Sequence, residues 1–388
     1  MRPFLAESIL FEKGFLNMKN IHGVYTSAKI FTDTVEDYAL AQIRMLCDNK
    51  AFSGSQVRIM PDVNPGKVGT IGFTATLTDK LLPSVVGIDI GCGVLLARIN
   101  QKKCEFQRLD TIIRENVPTG FHIRKSAHRF YGQFDLEALK CSRHIKADYI
   151  GNSLGTLGSG NHFIEVDKDD EGGLYLAIHT GSRALGKAVA EYYLNEGQKY
   201  LKAQGLAAPY ELTWLEGELM EDYLHDIELV QQFASLNRQA ILDEIAKGMK
   251  WKISDQFESQ HNYVDLSGDG LILRKGAVSA KAGETVIIPV NMRDGILMGR
   301  GKGNPDWNES APHGAGRMMK REAVKERYTV SQFKGEMKGI YSTCIGRETL
   351  DEAPFAYRGI EMILPLIRDT VDIETRLKPV YNYKAGSR

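Results

Sequence analysis

The sequence lacks the marks of a secreted or membrane protein. It has five cysteines in 388 residues and no Cys-x-x-Cys pair, so neither a disulfide framework nor a zinc ribbon is expected. No apolar run approaches the roughly 18 residues of a membrane helix, and residues 1–20 mix charged with apolar side chains, unlike a signal peptide. We therefore predict a cytoplasmic protein without a membrane partner.

A net charge is also missing. The 49 basic and 49 acidic residues balance to a formal charge of zero, so no overall field draws the protein onto a polyanion. Any contact with RNA must come from local basic segments, and residues 122–129, 274–281 and 317–327 are the candidates. The first of these segments is either a solvated loop or a surface that contacts phosphates.

The hydrophobic content of 43% is typical of a globular protein with a sizeable core. Periodicity predicts strands at 21–32, 57–61, 71–77, 82–86, 174–178, 271–274, 285–289 and 377–383, and helices at 36–49, 107–116, 136–141, 187–204 and 214–248. In the last helix, Asn237 and Arg238 form either a satisfied structural pair or a substrate contact. We predict an α+β fold, with residues 1–20 as an extension, Met18 as an alternative native start, and 21–388 as one domain.

Asp89 and Cys92 stand three residues apart among glycines, after an apolar run. A buried carboxylate is costly unless it is paired or binds a cation, and a cysteine beside it can become a thiolate ligand. The pattern fits either a strand-end turn or a metal site, and His162, His179 and His261, three histidines in or beside strand-like segments, favour the metal site. One thiolate, several imidazoles and a carboxylate suit Mn, Zn, Fe or Co, and a bridging thiolate would allow two ions.

His313 stands at the mouth of a glycine-rich turn that leads into a predicted basic helix with Arg317, Lys320 and Arg321. Such a helix start binds anions, and an imidazole there can act as acid, base or nucleophile toward phosphorus. A second glycine-rich segment precedes Asn161 and lacks the ending of a P-loop. These loops around a metal site predict metal-assisted nucleotidyl or phosphoryl transfer.

A series of motifs occurs in order between residues 60 and 384: Met-Pro-Asp-Val-x-x-Gly-Lys, Gly-x-Asp-Ile-Gly-Cys-Gly, Gly-Asn-His-Phe-Ile-Glu, His-x-Gly-Ser-Arg, His-Asn-Tyr-Val, Arg-Lys-Gly-Ala-Val-Ser-Ala, His-Gly-Ala-Gly-Arg and Asp-Glu-x-Pro-x-Ala-Tyr. Through them the chain resembles the RtcB-type RNA ligases. The resemblance implies that RNA 3′-phosphate or 2′,3′-cyclic phosphate ends are joined to 5′-hydroxyl ends, with GTP as co-substrate and two Mn ions. It also implies one large fold, a mixed β-sheet core with peripheral helices around a dinuclear metal centre.

The resemblance assigns roles to residues. The metal ligands fall on Asp89, Cys92, His162, His179 and His261, and the histidine that receives GMP falls on His313, with Asp62 as a candidate to assist a hydroxyl or phosphate step. Nucleotide contacts fall on Asn161, His162, Phe163, Ile164, Glu165, His261, Asn262, Pro289, Val290, Asn291, Met292, His313, Gly314, Ala315, Gly316, Tyr357 and Lys384. Glu165 can accept hydrogen bonds from the amino edge of guanine, and Tyr357 can stack on the base.

The chain departs from the family pattern at the rim of the site. Asn64 replaces a usual histidine, residues 290–293 replace a Gly-Ser-Met-Gly loop, and Lys320 replaces a serine. We therefore expect a divergent paralogue that serves RNA repair or tRNA splicing on broken tRNA or rRNA, with an archease-like activator as a candidate partner. The alternatives are a metal-dependent cyclic phosphodiesterase and a non-catalytic protein that binds RNA ends.

Overall fold

The computed structural model describes residues 19–268 and 270–386, so most of the predicted extension lies outside the described residues. The strands are β1 Lys19–His22, β2 Ser27–Ile30, β3 Val57–Pro65, β4 Thr70–Thr76, β5 Lys80–Leu81, β6 Gly93–Ile99, β7 Phe163–Lys168, β8 Leu174–Thr180, β9 Leu215–Glu216, β10 Ile253–Gln260, β11 Asn262–Asp265, β12 Ile272–Lys275, β13 Ala277–Ser279, β14 Thr285–Asn291, β15 Gly295–Gly301, β16 Ser310–Pro312 and β17 Val371–Lys384. The helices are α1 Asp37–Cys47, α2 Pro83–Val86, α3 Phe106–Asn116, α4 Ala147–Ser153, α5 Arg183–Ala203, α6 Glu218–Met249, α7 Arg321–Arg327, α8 Val330–Glu336 and α9 Ile360–Ile367.

Two large sheets form the core. The six-stranded sheet has the order β1-β2-β3-β4-β12-β11, in which β2 and β3 run parallel and the other neighbours antiparallel. The seven-stranded sheet has the order β10-β6-β8-β7-β17-β15-β14, and every neighbouring pair is antiparallel. The predicted α+β class with a mixed β-sheet core is confirmed.

The seven-stranded sheet is covered on both faces. On one face, Leu109 and Ile113 of α3 and Ile241 of α6 pack against Ile164 and Leu176 of the sheet. On the other face, apolar side chains of β6 and β8 pack against those of β14 and β15, so the sheet curls onto itself. Burial on both sides explains why β8 is an almost continuous apolar run.

Three strand predictions are wrong. The predicted strand 21–32 is a hairpin of two antiparallel strands, β1 and β2. The apolar segment 82–86 forms helix α2, because Pro83 at a first helical position presets φ, and a short apolar run does not distinguish a buried strand from a buried helix. The strand that was expected to end at Pro61 continues to Pro65. Its register against β4 is irregular between Ile59 and Asn64, and such an irregularity tolerates a proline that cannot donate a ladder hydrogen bond.

Two helix predictions are also wrong in extent. The segment 136–141 contains only a 3-10 turn at Leu136–Ala138. The basic helix α7 begins at Arg321, so Arg317 and Lys320 precede it. Within the described ranges, no helix combines the length and apolar character that crossing a bilayer requires.

The antiparallel order of the seven-stranded sheet brings four chain segments to one edge. Gly93, the first residue of β6, pairs with Thr180 near the end of β8 and with Gln260 at the end of β10. Phe163, the first residue of β7, pairs with His179. Residues at or just outside these strand ends therefore lie close together, and four of the predicted metal ligands occupy such positions.

Candidate functional site

The predicted metal ligands converge at this edge. Cys92 Sγ lies 3.5 Å from His162 Nε2 and 3.3 Å from His179 Nε2. His162 Nε2 is also 3.0 Å from Asp89 Oδ2, and His179 Nε2 is 3.3 Å from His261 Nε2. The cysteine and the three histidines are buried, whereas the Asp89 side chain is partly exposed. The structure thus brings all five residues into one cluster.

The orientation of His162 suits a cation. Its Nδ1 lies 2.7 Å from the carbonyl oxygen of Leu157, which can only accept, so Nδ1 carries the proton. In the neutral ring, Nε2 then presents a lone pair to the Asp89 carboxylate. Two acceptors at this distance repel each other unless a cation lies between them. A backbone carbonyl that accepts a hydrogen bond from Nδ1 is also typical of metal-bound histidine.

The protonation states of the remaining predicted ligands also bear on metal binding. Burial lowers the pKa of His179 and of His261 well below the ordinary range, so both rings are neutral at pH 7. Burial, followed by the Asp89 carboxylate, raises the pKa of the Cys92 thiol well above its ordinary value. The thiolate form therefore requires a bound cation, and the donor set fits one.

Close approach between two ligand-bearing loops depends on a glycine. A Cβ atom at Gly181 would overlap the Asp89 carboxylate, so only glycine leaves room for that side chain. Gly181 directly follows β8, which carries His179. The Gly-Ser-Arg part of the motif is thus explained partly by packing around the ligands.

Arg238 of α6 binds the backbone of both loops, the one that follows Asp89 and the one that follows His179. Its buried guanidinium donates through Nη1 to the carbonyl oxygens of Gly91 at 2.8 Å and Thr180 at 2.7 Å, and it pairs with Glu258. Asn237 is also fully buried and bonds to the backbone of the glycine-rich loop. These contacts support the structural interpretation of the pair, and neither side chain lines the pocket described below.

His313 is held beside the cluster by Asp62. His313 directly follows β16, and its ring centroid lies 4.7 Å from that of His261. Asp62 Oδ2 lies 2.6 Å from His313 Nδ1, and the Asp62 side chain is fully buried in β3. Arg358 donates to the carbonyl oxygen of Pro61 at 2.5 Å and so fixes the backbone next to Asp62. The carboxylate keeps the proton on Nδ1 and leaves Nε2 as the free ring nitrogen.

A pocket with a volume of about 540 Å³ opens beside His313, His179 and His261. It is within the range of pockets that hold small molecules. Most of the predicted nucleotide contacts line it: Asn161, Phe163, Glu165, His261, Pro289, Val290, Asn291, Met292, His313, Gly314, Ala315, Gly316, Tyr357 and Lys384. His162, Ile164 and Asn262 do not line it, and Ile164 packs in the core because successive residues of β7 face opposite sides.

Sequence analysis missed a buried acid in the pocket wall. Glu352 accepts a hydrogen bond from the Tyr357 hydroxyl at 2.6 Å and pairs with Lys384 at 2.7 Å, Arg317 at 3.3 Å and Arg321. Burial alone raises the pKa of Glu352, but the three cations lower it to about 2. These long-range pairs leave no periodic signal in the sequence, although the Asp-Glu motif marked the position.

A second missed residue is Asn382, which donates to Glu165 Oε2 at 2.5 Å across the β7–β17 pair. Burial raises the pKa of Glu165 to about 7. Asp167, two positions along the same face of β7, is completely buried and receives no hydrogen bond from the described residues at either oxygen. Burial and the neighbouring Glu165 raise the pKa of Asp167 well above the ordinary range, so the pair retains a proton near neutral pH.

The predicted basic segments are largely neutralised. In segment 122–129, Arg124 and Arg129 pair with carboxylates of α6 at 2.8 Å and 2.5 Å. In segment 274–281, Arg274 and Lys281 pair with Asp265 at 2.8 Å and 2.9 Å. Contact with RNA through these segments stays a prediction, and it would depend on the cations that have no carboxylate partner.

Fold and site together define an α+β protein in which a buried histidine–cysteine cluster that could hold a metal, a carboxylate-held histidine and a small-molecule pocket adjoin one another. Such an arrangement is suited to metal-assisted group transfer.

The chain belongs to the RtcB family, because the family model described as "tRNA-splicing ligase RtcB" matches residues 47–385. It is 30% identical over 370 residues to the RNA-splicing ligase RtcB of Escherichia coli (strain K12), covering 85% of this chain and 90% of that protein. It is 27% identical over 452 residues to the tRNA-splicing ligase RtcB of Nanoarchaeum equitans, covering 92% and 94%. A third relative, the tRNA-splicing ligase RtcB of Thermococcus kodakarensis, is 27% identical over 415 residues, covering 83% and 86%. The predicted family is confirmed.

Proposed function

We propose that the protein is an RNA ligase that joins 3′-phosphate or 2′,3′-cyclic phosphate ends to 5′-hydroxyl ends through a GMP–histidine intermediate on His313. The observation that carries the proposal is the 2.6 Å hydrogen bond from His313 Nδ1 to the buried Asp62 carboxylate, beside the metal cluster and the pocket. A histidine held in one tautomer by a carboxylate is suited to nucleophilic attack. The names of the relatives, which are RNA-splicing and tRNA-splicing ligases, support RNA as the substrate.

His313 would act through Nε2. A bond forms between Nε2 and the α-phosphorus of GTP, the bond from that phosphorus to the bridging oxygen breaks, and pyrophosphate leaves. Asp62 stabilises the positive charge that the ring gains while Nδ1 keeps its proton. An oxygen of the RNA 3′-phosphate then attacks the same phosphorus, and the nitrogen–phosphorus bond breaks.

The RNA end is now activated by GMP. The 5′-hydroxyl oxygen attacks the 3′-phosphate, GMP leaves with the electron pair of the broken bond, and the hydroxyl proton passes to solvent. A 2′,3′-cyclic phosphate must first be opened by water to give the 3′-phosphate. This order of steps makes His313 the only covalent attachment point on the protein.

The pocket fits a guanine nucleotide. Ionised Glu165 can accept hydrogen bonds from both donors on the amino edge of guanine, which adenine does not offer. Phe163 and Tyr357 supply ring surface in the same pocket, and Lys384 lies between Glu352 and the carbonyl oxygen of Asn161. The proposed base contact therefore depends on the ionisation of Glu165.

We propose two Mn ions as the cofactor, which Asp89, Cys92, His162, His179 and His261 would hold. Bound metal would neutralise the negative charge of the reacting phosphates. The role of the chain is to present neutral imidazoles, a thiolate and a carboxylate from rigid strand ends. Action in the cytoplasm on broken tRNA or rRNA, and an archease-like activator as partner, are proposed from family membership.

Labelling with α-labelled GTP in the presence of Mn tests the proposal. We expect an acid-labile label on the wild-type protein that is absent from His313→Ala and present in the control His225→Ala, since His225 lies on α6 and bonds to the Ala138 carbonyl oxygen. The labelled enzyme should seal RNA with 3′-phosphate and 5′-hydroxyl ends. Absence of label would overturn the mechanism, and opening of cyclic phosphate without sealing would favour the phosphodiesterase alternative.

A further inference from the structure

Phe121 has the highest exposed fraction, 88%, among the large exposed hydrophobic side chains of the described residues. It lies at the tip of a tight turn, in which His122 N–H donates to the Thr119 carbonyl oxygen at 3.1 Å. Gly120 adopts a φ of 63°, which glycine allows without strain, and so turns the chain sharply before Phe121. A phenyl ring left in water gains no burial free energy, so folding does not explain its position.

This turn is bound to the loop that carries a metal ligand. Leu157 N–H donates to the Pro118 carbonyl oxygen at 2.9 Å, and Gly120 N–H donates to the Gly158 carbonyl oxygen at 2.9 Å. The carbonyl oxygen of Leu157 accepts from His162 Nδ1 at 2.7 Å. Leu157 therefore joins the turn to the predicted metal cluster, and Phe121 protrudes into solvent from that turn.

Cations without carboxylate partners flank the same loop. The guanidinium of Arg183 packs against Gly158, and no carboxylate among the described residues lies within ion-pair distance of it. Lys125, four residues after Phe121, is exposed and has no ion pair within the described part of the chain. Arg183 is half-buried and also contacts Thr156 and His162, whereas Lys125 extends into solvent. Neither cation has a carboxylate partner among the described residues, so both can meet phosphates.

We propose that Phe121 is a stacking platform for a nucleobase of the RNA strand that enters the metal site, with Arg183 and Lys125 meeting its phosphates. The proposal rests on the proposed RNA ligase function. A protruding ring beside cations is how many proteins bind single-stranded nucleic acid without reading its sequence, because every base offers a π face. A stable protein interface buries roughly 800 Å² on each partner, far more than one ring among polar neighbours offers, so RNA is the better fit.

The first test is equilibrium binding of a fluorescent single-stranded RNA with a 3′-phosphate, measured by anisotropy without GTP. We expect Phe121→Ala to weaken binding about tenfold, Phe121→Leu to lose most of the same affinity, and Phe121→Trp to restore it. Tyr210→Ala removes another exposed ring, before β9, and should leave RNA affinity unchanged. The thermal midpoint and the GTP labelling of His313 should not change in Phe121→Ala, because the ring is exposed and outside the nucleotide pocket.

A second measurement identifies the stacked base. RNAs with one abasic nucleotide at successive positions from the 3′ end should show one position where the wild-type protein loses affinity and Phe121→Ala does not. Equal affinity of all Phe121 variants, or the absence of such a position, would overturn the platform, and the ring would then be a candidate contact for a protein partner. Loss of GMP labelling in the wild-type protein would instead refute the ligase mechanism, and it would leave the binding result intact.

Discussion

The Asp62 carboxylate receives one hydrogen bond from the described residues, and the donor is His313. Asp62 does not line the pocket, so we assign it to positioning His313 rather than to contact with RNA. Asp62→Asn preserves shape but removes the charge that stabilises the ring during attack, and the amide can favour the wrong tautomer. We predict that the rate of GMP labelling falls about a hundredfold or more.

The labelling rate at saturating GTP and Mn is the measurement, with Asp306→Asn as the control. Asp306 pairs with Lys29 and Arg58 at a partly exposed position, so its loss should leave the labelling rate unchanged. A rate for Asp62→Asn within twofold of wild type would show that the hydrogen bond does not position the nucleophile.

Single residues of the site were predictable where short contiguous motifs carry the chemistry. Residue type and the adjacent glycines were enough to predict Asp89, Cys92 and His313 as site residues. Glu352 and Asn382 were missed because their roles arise from partners far away in the chain, Lys384 and Glu165 respectively. A sequence without an alignment contains no local trace of such pairs.

At the scale of elements, the β7–β17 pair buries two carboxyl groups, Glu165 and Asp167, whose pKa values are both raised by burial. An acidic side chain in the unfolded state titrates near pH 4. Between that pH and about 7, the native state therefore binds more protons than the unfolded state. Stability therefore falls as pH rises through this window and Glu165 ionises, and it falls further at the higher pH where Asp167 ionises. We predict that Asp167→Asn is more stable than wild type at pH 8, by roughly 1–3 kcal/mol, and closer to wild type at pH 5.

Thermal or urea unfolding at both pH values measures this difference. The control is Glu171→Gln, at an exposed position after β7. Its free energy of unfolding should differ from that of the wild type by the same amount at pH 5 and pH 8. Parallel pH profiles for wild type and Asp167→Asn would contradict the shared proton between the two carboxyl groups.

Helix α6 supports the proposed metal centre through Arg238, whose guanidinium binds the backbone of two loops that carry the proposed ligands. Arg238→Ala removes a donor from two buried carbonyl oxygens and the cation that pairs with Glu258. We predict a loss of about 3–5 kcal/mol in the free energy of unfolding and a lower metal content. Urea unfolding and elemental analysis measure the two effects.

The matched control is Arg300→Ala, which removes the exposed pair between Arg300 of β15 and Glu374 of β17 and should change stability by less than about 1 kcal/mol. Stoichiometric metal in Arg238→Ala would mean that the loops keep their positions without the guanidinium.

Element types were predictable where periodicity extends over many residues, as in α5, α6 and β8. The short segment 82–86 was assigned wrongly because four buried apolar residues satisfy either period and Pro83 decides the outcome. The continuation of β3 through Pro61 depends on an irregular register with β4, which is a property of two strands together. Local patterns do not contain that information.

At the scale of the whole molecule, the site unites segments that are distant in sequence. The proposed metal ligands lie within or next to β6, β7, β8 and β10 of the seven-stranded sheet, whereas Asp62 lies on β3 of the other sheet. Family resemblance predicted that the motifs meet, but the strand order that brings them together could not be read from the chain. The folded state alone therefore brings the proposed metal ligands together.

A ligand that binds only the folded state must stabilise it. We predict that Mn at about a hundred times its dissociation constant stabilises the protein by about 2.7 kcal/mol and raises the unfolding midpoint by a few degrees, and that a chelator reverses the shift. Cys92→Ala should lose most of the shift because the thiolate contacts two of the histidines, whereas Cys104→Ala, a half-buried cysteine outside the cluster, should keep it. Differential scanning fluorimetry with and without Mn measures the effect. An unchanged midpoint in the wild-type protein would show that the cluster does not bind Mn in the folded state, and the assignment of the ion would then have to change before that of the nucleophile.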